Sequence, residues 1–146
     1  MNAYQEYTQR RQAAVNAMPF HWAFGKDQFN KLMKELGLNP DKKSDMAQLC
    51  SGPAGSIIFK KDVKMIAEKF AELNREKAEL IRQDKTGDGF IYDMFLTELR
   101  ETEYGYTGDI GEALDHIGIT SAEVDSDERY AHALKRACET IMVAEW

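Results

Sequence analysis

Apolar residues recur along this chain mostly at helical spacing. Tyr4, Tyr7, Ala14, Val15 and Met18 lie near one face of a helix over residues 4–18, and Pro19, which has no amide proton to continue the ladder, stops it. Phe29, Leu32, Met33 and Leu36 mark a second helix over residues 27–36, with Gly37 placed as a left-handed C-cap. Asn39-Pro40-Asp41 reads as the start of a third, with Asn capping and Pro at the first helical position, running to about residue 49 before the breaker cluster at 51–56. Val63, Ile66, Ala67, Phe70, Leu73, Leu80 and Ile81 form one stripe of the longest helix, which Asp62 caps and which ends near Gln83. That stripe is the expected spine of the core.

The second half continues in the same rhythm. Ile91, Met94, Phe95 and Leu99 belong to a helix over residues 90–100, and residues 103–108, with glycines at 105 and 108, read as a loop carrying two tyrosines. Asp109 caps a short helix that Gly118 ends, Thr120 and Glu123 have capping-box spacing, and Tyr130, Leu134, Ala137, Cys138 and Ile141 mark a last helix over about 127–144. Two segments break the helical rhythm: Phe20-His21-Trp22-Ala23-Phe24 and the β-branched, aromatic Ile57-Ile58-Phe59, expected to pair as a ribbon. The predicted fold is therefore mainly α: a compact helical domain of about six helices with a short two-stranded β ribbon. With no internal repeat, low-complexity tract or long linker, a single domain over residues 1–146 is expected.

Composition adds constraints to that picture. In 146 residues, 43% are hydrophobic and 30% charged, which excludes wholesale disorder, a collagen-like repeat and a disulfide-dense scaffold. No apolar run is long enough for a membrane span, and the first eleven residues do not resemble a signal peptide, so a cytoplasmic protein is expected, with no membrane partner. Cys50 and Cys138 lack a Cys-x-x-Cys partner and read as free thiols. The net charge of −6 is unevenly placed: from Asp84 to Glu128, Lys85 and Arg100 oppose thirteen acids, whereas residues 1–83 carry an excess of four cations. That charge argues against direct nucleic-acid binding.

Candidate chemistry is sparse. Asp84, Thr86 and Asp88, with Gly89 sixth and Ile91 eighth, match the first part of a calcium-binding EF-hand loop, but the twelfth position, where a bidentate Glu belongs, is Phe95. They are a degenerate metal-site candidate, and the plainer reading is a helix-to-helix turn. His116 follows Glu112 by four residues on one helical face, His21 sits among aromatics, and His132 has no visible partner; none has metal-ligand company. Gly52-Pro53-Ala54-Gly55 has the outline of a phosphate-clamping loop without a basic groove around it, and Lys60, Lys61 and Lys64 read as a solvated helix start. No nucleophile–base pair stands out, so a protein without catalytic activity and without a cofactor is expected.

The acidic region is the stronger clue. Carboxylates spaced along helices, with Tyr92, Tyr104 and Tyr106 among them, resemble in charge a short run of nucleic-acid phosphates, and such a surface suits a positively charged groove on a partner protein. Residues 11–19 (Arg-Gln-Ala-Ala-Val-Asn-Ala-Met-Pro), 22–29 (Trp-Ala-Phe-Gly-Lys-Asp-Gln-Phe), Phe95-Leu96-Thr97-Glu98-Leu99 and the run from Glu103 to Asp109 carry a family resemblance. Over most of its length the chain resembles a family of small proteins from plasmids and phages of gut bacteria, close to anti-CRISPR inhibitors of Cas9. Many of those relatives have a His before the Glu-Tyr-x-x-Thr-Gly-Asp segment where this chain has Thr102, so a role for that imidazole does not carry over. The resemblance implies an anti-CRISPR protein that inhibits a Cas9-type nuclease, or its guide-RNA complex, by direct binding. The expected contacts are Tyr104, Tyr106 and Asp109, then Glu98, Glu101, Glu103, Glu112 and Asp115. The alternative is a single EF-hand-like calcium module or a general acidic protein-interaction module.

Overall fold

The computed structural model describes residues 1–144. Among them are nine α-helices: α1 (Ala3–Asn16), α2 (Lys26–Glu35), α3 (Lys43–Met46), α4 (Val63–Gln83), α5 (Phe90–Glu101), α6 (Tyr104–Thr107), α7 (Gly111–Ile117), α8 (Ser121–Ser126) and α9 (Glu128–Ala144). Strands β1 (Leu49–Ser51) and β2 (Ile57–Phe59) form an antiparallel pair with Leu49 opposite Phe59 and Ser51 opposite Ile57. The mainly α class with a short ribbon is thus the observed fold, but the ribbon has a different first strand. The 20–24 segment contributes only a bridge, His21 N donating to Ile57 O at 3.0 Å and His21 O accepting from Ile57 N. The helix expected to run to about residue 49 is one turn long and starts at Lys43, because Asn39 Oδ1 accepts from the Asp41 amide at 2.9 Å in a local turn instead of opening a helix.

The chain divides into two compact units. One is continuous, Ala14–Leu73; the other combines Met1–Ala13 with the described residues from Asn74 onward. In the continuous unit Met18, Ile58 and Ile66 are buried, with Val15, Phe20, Cys50, Phe70 and Leu73 packed on them. Helix α2 ends as its sequence indicates. Gly37, at φ +72, is the left-handed residue, and the Leu38 and Gly37 amides donate to Met33 O and Lys34 O at 2.8 and 3.2 Å.

The two-segment unit holds the larger core, and α5 is its axis. Phe90, Ile91, Met94, Phe95, Leu96, Thr97, Glu98 and Leu99 are all buried, against α9 through Ala133, Ala137 and Ile141 and against α7 through Ala113, Leu114 and Ile117. The expected spine, α4, has one fully buried residue, Ile66, while Val63 and Ala67 at its start are exposed. From α1, Tyr4 and Tyr7 place their rings edge-on to Phe90 at 5.7 and 6.1 Å between centroids. Asn2 Nδ2 donates to Thr97 Oγ1 at 3.1 Å, and Ala3 N to Asp93 Oδ2 at 3.2 Å. Of the caps read from the sequence, Thr120 forms as expected, its Oγ1 accepting from Glu123 N at 3.1 Å; Asp109 lies one residue ahead of the N-cap Ile110 and accepts from Gly111 N at 2.8 Å, and Asp127, unmarked in the sequence, accepts from Arg129 N at 2.9 Å.

Candidate functional site

The expected contact residues all lie in the two-segment unit, where α5, α6 and α7 follow one another. Residues 103–108 are not the open loop that their glycines suggest. They form the one-turn helix α6, held between two left-handed residues, Glu103 at φ +59 and Gly108 at φ +67. Gly108 N donates to Tyr104 O at 2.8 Å, which closes the turn. The two tyrosines part company as a result. Tyr104 packs on the core and bonds Cys138, a contact that with burial raises its pKa, whereas Tyr106 is 92% exposed.

The acidic residues divide in the same way. Glu101, Glu103, Asp109, Glu112 and Asp115 are exposed, and the segment 101–115 contains those five acids and no Lys or Arg. Asp109 also has a structural task, since its Oδ1 accepts the Gly111 amide at the start of α7. Glu98 faces inward. Its Oε1 accepts the Tyr4 hydroxyl at 2.7 Å, and its Oε2 lies 3.4 Å from His116 Nδ1, so its carboxylate serves the interior rather than the surface. Burial, and then this bond to Glu98, raises the Tyr4 pKa well above its ordinary value.

At the degenerate EF-hand segment, the oxygens expected to face a cation are bonded within the protein. Asp84 Oδ1 accepts from Gly87 N at 2.9 Å, and Oδ2 from Gly89 N and Ile91 N at 3.1 and 3.0 Å, so this carboxylate holds the α4–α5 turn and caps α5. Thr86 Oγ1 accepts from Asp88 N at 3.1 Å. Asp88 Oδ1 is shared by His132 Nε2, at 2.7 Å, and Arg136 Nη1, and these donors, His132 first, hold its carboxyl below the usual range. Among the described residues no group of three or more His, Cys, Asp or Glu could hold a metal ion.

Several polar groups of this unit have partners that the sequence leaves unmarked. His132, expected to be alone, bonds Asp88; the Arg136 guanidinium lies 4.5 Å over the Tyr92 ring, whose hydroxyl is 2.8 Å from Thr140 Oγ1. His116 pairs with Glu98, not with Glu112 on its own helix. All these links join residues 18 to 48 positions apart, and no local spacing encodes them.

The chain belongs to a family of unknown function (DUF7659), whose profile matches residues 3–140. No curated protein and no solved structure matches the chain significantly. Among the described residues no helix is long and apolar enough to cross a membrane.

Proposed function

We propose that this protein acts by binding, not catalysis: its acidic, tyrosine-bearing segment docks in a positively charged groove of a Cas9-type nuclease or of its guide-RNA complex and inhibits it. The observation that carries the reading is the segment 101–115, with five exposed carboxylates, no Lys or Arg, and Tyr106 standing 92% exposed among them. Fixed like charges of this density speed and orient encounter with a basic surface, and an exposed Tyr is a good anchor because it buries a large area at little entropic cost. Cas9 holds its heteroduplex in a positively charged channel and reads a short duplex motif with arginines, so an acidic protein seated there blocks DNA. The choice of nuclease comes from the resemblance noted in the segments around Phe95–Leu99 and Glu103–Asp109; the acidic face supports only the kind of partner.

The test is cleavage of a DNA target by guide-loaded Cas9 from several orthologues, with this protein added before or after the DNA. Inhibition only when it is added first is the expected result and assigns competition for the DNA channel. Equal inhibition in either order moves the contact to a nuclease domain and removes the channel from the proposal, and no inhibition of any orthologue overturns the choice of nuclease.

A further inference from the structure

The two-segment unit also contains a cavity of about 290 Å³ whose chemistry is opposite to that of the acidic segment. Tyr4, Tyr7 and Arg11 of α1, Asn74 and Lys77 of α4, and His116 of α7 line it. Arg11 Nη1 donates to Tyr7 OH at 3.3 Å and to Asn74 Oδ1 at 3.2 Å, which fixes the guanidinium in place. Lys77 Nζ donates to Ile117 O at 3.2 Å, at the end of α7. The Glu98 carboxylate is already bonded to the Tyr4 hydroxyl and faces His116 Nδ1, which turns the Nε2 edge of that half-exposed imidazole away from Glu98.

Two cations and an imidazole therefore line one cavity. Burial, and after it the like charge of Arg11, lowers the Lys77 pKa, while Glu98 acts in the opposite sense. Like charges held together in a partly desolvated space repel, and an anion between them recovers that energy. Donors from three helices approach from several directions, which suits a tetrahedral group with three or four oxygens better than a planar carboxylate.

From this geometry we propose that the cavity bounded by Arg11, Lys77 and His116 binds a small phosphate-class oxyanion, either inorganic phosphate or a phosphate monoester. Arg11 and Lys77 supply the charge, His116 orients the oxygens, and Glu98 keeps the imidazole in position.

Calorimetric titration of the full chain at constant ionic strength tests this with three probes: inorganic phosphate, methyl phosphate and chloride. The expected result is saturable binding of one or both phosphates and none of chloride; the tighter phosphate identifies the free ion or the monoester as the source. Loss of one charge-assisted donor in Lys77→Gln weakens binding by about tenfold or more. His116→Asn, at a half-exposed position, gives a second and smaller loss in a variant whose folding does not depend on a buried cation. Far-UV circular dichroism checks that both variants are folded. A response equal for phosphate and chloride, or unchanged phosphate affinity in folded Lys77→Gln or His116→Asn, overturns the proposal.

Discussion

Arg129 Nη1 donates to the backbone oxygens of Ile81 and Asp84, both at 2.9 Å, while the Asp84 side chain accepts three amides from the turn ahead of it. The last carbonyls of α4 and the first amides of α5 are thus satisfied at one point, by a side chain from α9 and a carboxylate from the turn. Asp127 keeps the guanidinium aimed through a bond at 2.9 Å. Arg129→Gln should lower stability by about 2 kcal/mol, the loss of two hydrogen bonds from a charged donor, read as a lower urea midpoint without a change of slope.

Gly87 lies in the same turn at φ +88, and a Cβ there would overlap the Arg129 carbonyl oxygen. Gly87→Ala therefore combines a left-handed alanine with a backbone collision. Its expected cost is more than about 2 kcal/mol, against about 1–2 kcal/mol for Gly108→Ala, where nothing lies within 4 Å of the added carbon and the left-handed strain acts alone. Equal urea midpoints for the two variants would remove Arg129 O from the explanation.

Glu103 is a strained position of the opposite kind, a non-glycine residue at φ +59 before α6. Glu103→Gly should raise stability by about 0.5–1 kcal/mol, since relief of the left-handed strain exceeds the added chain entropy. Glu103→Asn suits the same conformation while removing the charge, which makes Glu101→Gln, Glu103→Asn, Asp109→Asn the appropriate neutral triple variant. Asparagine at 109 keeps an acceptor for the Gly111 amide. This variant should fold like the parent and inhibit its partner more weakly, with a flatter dependence on salt.

The Tyr4 hydroxyl is the shortest donor to the buried Glu98 carboxylate, at 2.7 Å. Tyr4→Phe keeps the ring against Phe90 and removes only that donor, so the expected loss is about 1.5–3 kcal/mol. Tyr7→Phe removes a hydroxyl that faces Arg11 at 3.3 Å and should cost less, and chemical denaturation of the pair separates the two effects.

Acid should weaken the fold through Asp88 and Asp127. His132 and Arg136 hold the first below the usual carboxyl range, and Arg129 holds the second there. A carboxyl whose pKa is depressed on folding contributes stability above its unfolded value, about 3.9, and loses that contribution as pH falls through the folded value. Urea midpoints should therefore be insensitive to these two groups between about pH 7 and 5 and fall below about pH 4. The double variant Asp88→Asn, Asp127→Asn should show a shallower acid slope than the parent.

The sequence made long, regular features legible and short or distant ones opaque. The end of α2 at Gly37, the side-chain bonds of Asp109 and Thr120 at the helix starts that follow them, and nearly the whole extent of α5 follow from local spacing, because caps and amphipathic helices are set by residues within one or two turns. Strand β1 is three residues long and includes Cys50 and Ser51, too short and too polar to show a period of two. Burial on α5 was hidden by Thr97 and Glu98, whose polarity suggests a surface although Asn2 and Tyr4 satisfy them from 95 and 94 positions away. Among the candidate contacts, the charge of residues 101–115 could be read directly; that Tyr106 projects while Tyr104 packs could not, since it depends on the left-handed residues on either side of α6.

The pairing of Tyr4 with Glu98 has a consequence for synthesis of the chain. At roughly 5–20 residues per second, a ribosome needs on the order of 5–20 s to make the 94 positions between donor and acceptor. Until α5 is made Tyr4 and Tyr7 have no Phe90 to pack on and no buried carboxylate to bond, and the continuous stretch 14–73 is completed within that interval. The nascent polypeptide thus carries these two aromatic side chains without their partners until α5 is made, and this is the stage at which a chaperone would meet it.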